Sequence, residues 1–160
     1  MSSDRLRAPE RIPEAEGVEA AWTDDRFEFT FSVWSVTKNR AASGIVRSES
    51  GRRIFGVIYE IPYDLIDRNC GRKRRKTLDE IEGEGTNYSR TVVTVSGVET
   101  GRQYQAITYL PIEQSWKAPT DLEYASHILA GLDEWHAPSD YVEYAKKVID
   151  CALITKLSDD

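Results

Sequence analysis

The chain has 160 residues and a formal net charge of −6, enough length for one hydrophobic core and too acidic for a general affinity for nucleic acid. Cys70 and Cys151 lie far apart without metal-ligand spacing, so they read as two reduced thiols in a reducing cytoplasm, with no metal site. The N-terminus is polar and charged, unlike a signal peptide, and the longest apolar runs are strand-sized, so no membrane association is expected.

Residues 1–20 are charged and carry Pro9 and Pro13; Asp4 to Arg11 reads as a short helix interrupted at Pro9. Arg26 to Val36 alternates, with Phe27, Phe29, Phe31 and Val33 on one face and Glu28, Thr30, Ser32 and Trp34 on the other. That is the period of a half-buried strand. Ala41 to Arg47 gives a second strand, and Glu49-Ser50-Gly51 a turn. Arg53 to Ile61 is rich in β-branched and aromatic residues and reads as a third strand, ended by Pro62. After one helical turn at Asp64 to Asp67 comes a run of five basic residues, Arg72 to Lys76. Like charges repel and stay exposed, so the run reads as a solvated surface loop.

Thr77 with Glu80 three residues on is a capping-box spacing, which starts a short helix. Gly83 ends it, because glycine takes the left-handed conformation that helix ends favour. Glu82 then sits in the last turn, where backbone carbonyls already concentrate negative charge. A residue that breaks a local rule in this way is a candidate for function. Thr91 to Val98 and Gln103 to Leu110 read as two strands of a hairpin turning at Thr100-Gly101.

The last third is helical. Thr120 with Glu123 forms a second capping box, and Leu122, Ala125, Ile128, Leu129 and Leu132 make an apolar stripe. Trp135 to Pro138 connects to a helix capped at Ser139 or Asp140, with Tyr141, Val142, Ala145, Val148, Ile149, Ala152 and Leu153 as its core face. Ser158 to Asp160 should fray. His127 and His136 have no spacing that links them to further metal ligands. Five strands with helices gathered at the end imply an α+β fold.

The ordered set Gly56-Val57-Ile58-Tyr59, Leu78-Asp79-x-x-Glu82-Gly83, Tyr88-x-Arg90 and Thr108-Tyr109 resembles the γ-glutamylcyclotransferase family, including its AIG2-like relatives. The resemblance runs over nearly the whole chain. It implies a single domain over residues 1–157, built as a small mixed β-barrel with packed helices and carrying a basic insertion at about residues 68–76. Family members open with a strand and a Tyr-Gly-Ser-Asn loop that holds the substrate. Met1 to Leu6 matches the segment just after that loop, so those two features have no counterpart here.

By the same resemblance Glu82 is the acid/base residue, and Tyr109, Tyr124 and Gly83 lie at the substrate. The implied reaction is an intramolecular aminolysis: the α-amine of a γ-glutamyl group attacks its own side-chain amide carbonyl, giving 5-oxoproline and a free amine or amino acid. No cofactor is needed, because nucleophile and electrophile share one molecule that must only be held bent. The expected partner is a small γ-glutamyl substrate. The alternative is a catalytically silent ligand-binding or structural member of the same fold.

Overall fold

The computed structural model describes residues 2–70, 75–112 and 119–154, and its elements define an α+β fold. Among the described residues six strands form: β1 (Glu16–Thr23), β2 (Phe27–Ser35), β3 (Arg40–Arg47), β4 (Phe55–Glu60), β5 (Tyr88–Gly97) and β6 (Gln103–Pro111). The helices are α1 (Ser3–Leu6), α2 (Leu78–Glu82), α3 (Leu122–Glu134) and α4 (Ser139–Ile154), with one 3-10 turn at Tyr63–Leu65.

The five strands expected from periodicity are present, and β1 is the addition. Its sequence, Glu-Gly-Val-Glu-Ala-Ala-Trp-Thr, has too little β-branched and aromatic content to stand out. Yet β1 is central: it pairs antiparallel with β4 on one side and β5 on the other. Glu19 on β1 is buried, and its carboxylate accepts from the Tyr104 hydroxyl at 2.6 Å, the Thr100 hydroxyl at 2.8 Å and the backbone N–H groups of Glu99 and Thr100. The carboxylate is satisfied by the β5–β6 hairpin, so a charge replaces the apolar residue that the pattern demands.

The strands make two antiparallel sheets, one ordered β4-β1-β5-β6 and one the hairpin β2-β3. These ladders contain no parallel pair and do not join into the closed mixed barrel that the family resemblance implies. On β2 the alternation survives: Phe27 and Phe31 are buried and Phe29 half-buried. A bulge between Phe31 and Val33 turns Ser32 inward, so it is buried too, against expectation.

A main core joins Ala20, Phe27, Phe55, Val93 and Val95 to Leu132, Tyr141 and Ala145 of the two long helices. A second holds Phe31 and Ala41 against Ala125, Ile128, Ile149 and Ala152. A third, under the N-terminal segment, gathers Ile12, Ala15 and Leu65.

The cap of α3 falls one residue later than the Thr120 expectation. Asp121 accepts from the Tyr124 N–H at 2.7 Å, while the buried Thr120 hydroxyl donates to the Ala41 carbonyl at 3.0 Å. Thr120 thereby ties the helix to β3, and the cap passes to its neighbour. Leu122, placed by periodicity in the apolar stripe, faces solvent as the first residue of the helix. Residues 71–74, which include the first three of the basic run, and the last residues, 155–160, lie outside the described residues. Arg75 at the end of that run pairs with Glu14.

Candidate functional site

The capping box forms as the spacing requires: the Glu80 carboxylate accepts from the Thr77 N–H at 2.8 Å, and Gly83 closes α2 in the left-handed region at φ 69°. This leaves α2 a little over one turn long. A helix that short has no stability of its own, so its orientation must come from outside.

Asp79 supplies that anchor. It is buried and accepts from the Tyr109 hydroxyl at 2.7 Å, from Arg90 Nη1 at 2.9 Å and from the Arg68 N–H at 3.2 Å. Arg90 also reaches Asp67 through Nη2 at 3.2 Å, and Asp67 accepts from Asn69 N–H and from the Tyr63 hydroxyl. The Asn69 N–H, with Tyr63 and Arg90, holds the Asp67 carboxyl below the usual carboxylate range. Burial, reinforced by the bond to Asp79, pushes the Tyr109 phenol well above its ordinary value, so Tyr109 acts as a neutral hydrogen-bond donor.

Glu82 projects from the last turn of α2 into a cavity of about 660 Å³ that Tyr59, Tyr109 and Leu6 also line. It is partly buried, and Arg11 donates to its Oε1 at 2.8 Å. The structure therefore brings Glu82 and Tyr109 to one cavity. Gly83 is adjacent as the helix cap and is not among the cavity's lining residues. Tyr124 is elsewhere: on α3, its hydroxyl meets Ser43 N–H at 3.2 Å and Ser43 Oγ at 2.9 Å, and the Arg40 guanidinium lies 3.8 Å from its ring centre. Tyr88 joins the two regions, being buried with its hydroxyl donating to the Ser43 carbonyl at 3.0 Å.

Glu84, between two glycines, pairs with Arg68 at 2.7 Å, and Glu80 is exposed in its capping role. Sequence reading did not single out Asp67 or Arg11, and it met Asp79 only as part of the Leu78-Asp79-x-x-Glu82-Gly83 pattern, with no role assigned. Asp79 looks like an ordinary acidic residue of a first helical turn. The signal that points to it is Arg90, a charge on a strand that needs a buried partner. Among the described residues no cluster of His, Cys, Asp and Glu could hold a metal ion.

An α+β domain with an acidic side chain presented on a short, externally anchored helix at a cavity is the class that these features define. A model of the AIG2-like family matches residues 53–145, more than half of the chain, and the protein belongs to that family. The matched span runs from just before β4 into α4 and includes Glu82, Gly83, Tyr109 and Tyr124. No curated protein and no solved structure matches the chain. No helix among the described residues is long and apolar enough to cross a membrane.

Proposed function

We propose that the protein cyclises a γ-glutamyl amide to 5-oxoproline with release of an amine or amino acid, using Glu82 as the proton shuttle. The observation that carries this reading is that Glu82 and Tyr109 line one cavity, with Glu82 on a short helix anchored by the buried Asp79 and by Leu78 and Ile81 packed under the N-terminal segment. The α-ammonium of the substrate gives a proton to the Glu82 carboxylate and attacks the side-chain amide carbonyl. The C–N bond of the lactam forms, the tetrahedral centre collapses, and the amide C–N bond breaks. Glu82 returns its proton to the leaving nitrogen and then relays the surplus proton of the ring nitrogen to it, so the lactam keeps one N–H, the amine leaves as its ammonium, the carboxylate is regenerated and no co-reactant is consumed. Arg11 occupies Glu82 in the free protein, and the substrate ammonium takes its place. Tyr109 supplies a fixed donor and an aromatic wall. Gly83 closes the helix that carries Glu82, whereas Tyr124 bonds Ser43 away from the cavity lining.

The test is 5-oxoproline release from a panel of γ-glutamyl amino acids and amines. Glu82→Gln keeps size and hydrogen bonding but removes the base, so release should fall to background while the far-ultraviolet spectrum stays unchanged. Glu80→Gln and Glu84→Gln should retain activity. Full activity in Glu82→Gln would overturn the assignment. A second reading, a ligand-binding member of the family without turnover, is favoured by the Arg11–Glu82 ion pair, which engages the carboxylate needed as base. That reading predicts saturable binding of a γ-glutamyl amide without release.

A further inference from the structure

Arg11 meets Glu82 through a single bond, Nη2 to Oε1 at 2.8 Å. The two side chains are 17% and 23% exposed, so both charges are largely withdrawn from water. Arg11 Nε shares an edge of the guanidinium with Nη2, is buried, and has no hydrogen-bond partner among the described residues. That edge ordinarily grips a carboxylate with both nitrogens. Arg5 and Arg40 also carry a buried nitrogen without a partner, but both lie against the Tyr124 ring and neither bonds to Glu82.

The backbone of Arg11 is fixed independently of this pair. Its N–H donates to the Ala8 carbonyl at 2.8 Å, and that of Ile12 donates to the Leu6 carbonyl at 3.0 Å. Ile12 is buried with Ala15 and Leu65, and Leu78 and Ile81 of α2 pack against them. Two segments that pack on one another therefore bring Arg11 and Glu82 together. The guanidinium can leave Oε1 by side-chain rotation alone, with no change in the path of the chain.

The pair restricts what can enter. A ligand with a cation only displaces Arg11 and strands a largely buried guanidinium. A ligand with an anion only strands the Glu82 carboxylate. Either outcome leaves an uncompensated charge, which is costlier than losing a surface pair. A ligand with both charges on one carbon exchanges one ion pair for two and strands neither. The head of a γ-glutamyl group is built in this way, with its ammonium and carboxylate on the same carbon.

We infer that Arg11 is the residue that recognises the α-carboxylate: the zwitterionic head inserts between Arg11 and Glu82, with its ammonium on Glu82 and its carboxylate on the Nε–Nη2 edge of Arg11. The assignment rests on the cyclisation reading and narrows its substrate class to amides that keep a free α-carboxylate as well as a free α-amine. It also ties product release to ring closure. The lactam nitrogen carries no positive charge, so once the amine has left, Glu82 has lost the cation that stood in for Arg11. The ion pair then re-forms at the expense of the product carboxylate.

Two half-heads provide the test. 4-Aminobutanoyl methylamide keeps the amine and lacks the carboxylate, and the monomethylamide of glutaric acid keeps the carboxylate and lacks the amine. The second cannot cyclise, so its binding to the full chain, followed by calorimetry, is independent of turnover. The natural chain should bind it weakly, because Glu82 holds Arg11. Glu82→Gln frees Arg11 and should bind it about tenfold or more tightly, a gain that adding Arg11→Gln should abolish. In turnover, lactam release from γ-glutamyl methylamide should exceed that from 4-aminobutanoyl methylamide by about a hundredfold in kcat/KM. Arg11→Gln should raise KM for the first about tenfold or more without impairing the second, and Arg11→Lys, which keeps the charge without the fork, should fall between. No gain at Glu82→Gln, a gain that survives in the double variant, or equal losses on both amides in Arg11→Gln would overturn the proposal. Lactam from neither amide, with the gain at Glu82→Gln present, would overturn the cyclisation reading and leave Arg11 as the carboxylate-binding residue of a silent member of the family.

Discussion

Arg90 reaches two buried carboxylates with different nitrogens, Asp79 at 2.9 Å and Asp67 at 3.2 Å. Removing the guanidinium leaves Asp79 charged, buried and short of a partner, which is costlier than losing a surface pair. Arg90→Met should therefore lower stability by about 3 kcal/mol in urea titrations, whereas Arg47→Met, whose ion pair is exposed, should cost under about 1 kcal/mol. A loss at Arg90 no larger than at Arg47 would show that the Tyr109 hydroxyl and the Arg68 N–H suffice to hold Asp79. The same network sets a pH dependence. The Asp67 carboxyl is depressed in the folded state, so its contribution is present above the ordinary carboxylate value near ~4 and is lost as pH falls through the depressed value. Asp67→Asn should thus be destabilised relative to the natural chain at pH 7, and the difference should narrow at about pH 2.5. An unchanged difference would mean that Asp67 acts through shape rather than charge. This network was the least legible part of the site in the sequence. Glu82 and Gly83 stand out because they break and end a local pattern, but a buried Asp–Arg pair across α2 and β5 is a tertiary fact. Only Arg90 on a strand hints at it.

At the level of elements, legibility followed periodicity. β2, β4, the β5–β6 hairpin and both long helices carry a strong period and were placed from sequence to within a few residues. β1 was not, because its buried Glu19 is satisfied by donors on a hairpin some eighty residues away. Gly97 faces that carboxylate so closely that a Cβ there would lie 2.4 Å from Glu19 Oε2. Gly97→Ala should cost about 1–3 kcal/mol through overpacking, with the largest shifts in an NMR spectrum falling on Thr100 and Tyr104. Shifts confined to Gly97 itself would place the strain elsewhere. On β2, Phe27 is fully buried and Phe29 only half so. Phe27→Ala should cost about 3–5 kcal/mol and Phe29→Ala distinctly less. The reverse order in denaturant midpoints would mean that the register is off by one residue, which would exchange the two faces.

At the scale of the whole molecule, the main core and the core between β2, β3 and the long helices are separate clusters of fully buried residues. What joins them is a pair of half-buried side chains, Phe29 and Leu129, each in contact with both. Phe29 is further tied by its backbone N–H to the Tyr144 hydroxyl at 3.1 Å, and its ring meets Phe31 edge-on at 5.4 Å. Because the seam is this narrow, cooperativity between the cores should depend on these two residues more than on any larger buried side chain. Trp22 stands in the main core against Phe55 and Tyr141, so its fluorescence reports that core. Among the described residues no tryptophan packs in the second core, and helical circular dichroism of α3 and α4, which enter both cores, reports on the two together. In the natural chain the two signals should give one coincident urea transition. Leu129→Ala deletes one side of the seam and should cost about 2 kcal/mol, the low end for a leucine that is not fully buried. In the double variant Phe29→Ala with Leu129→Ala the fluorescence and dichroism midpoints should separate, because each cluster then unfolds without forfeiting the other's contacts. Coincident midpoints in that double variant would place the coupling in the backbone of α3, α4 and β2, which run through both cores, and would remove the seam as its cause.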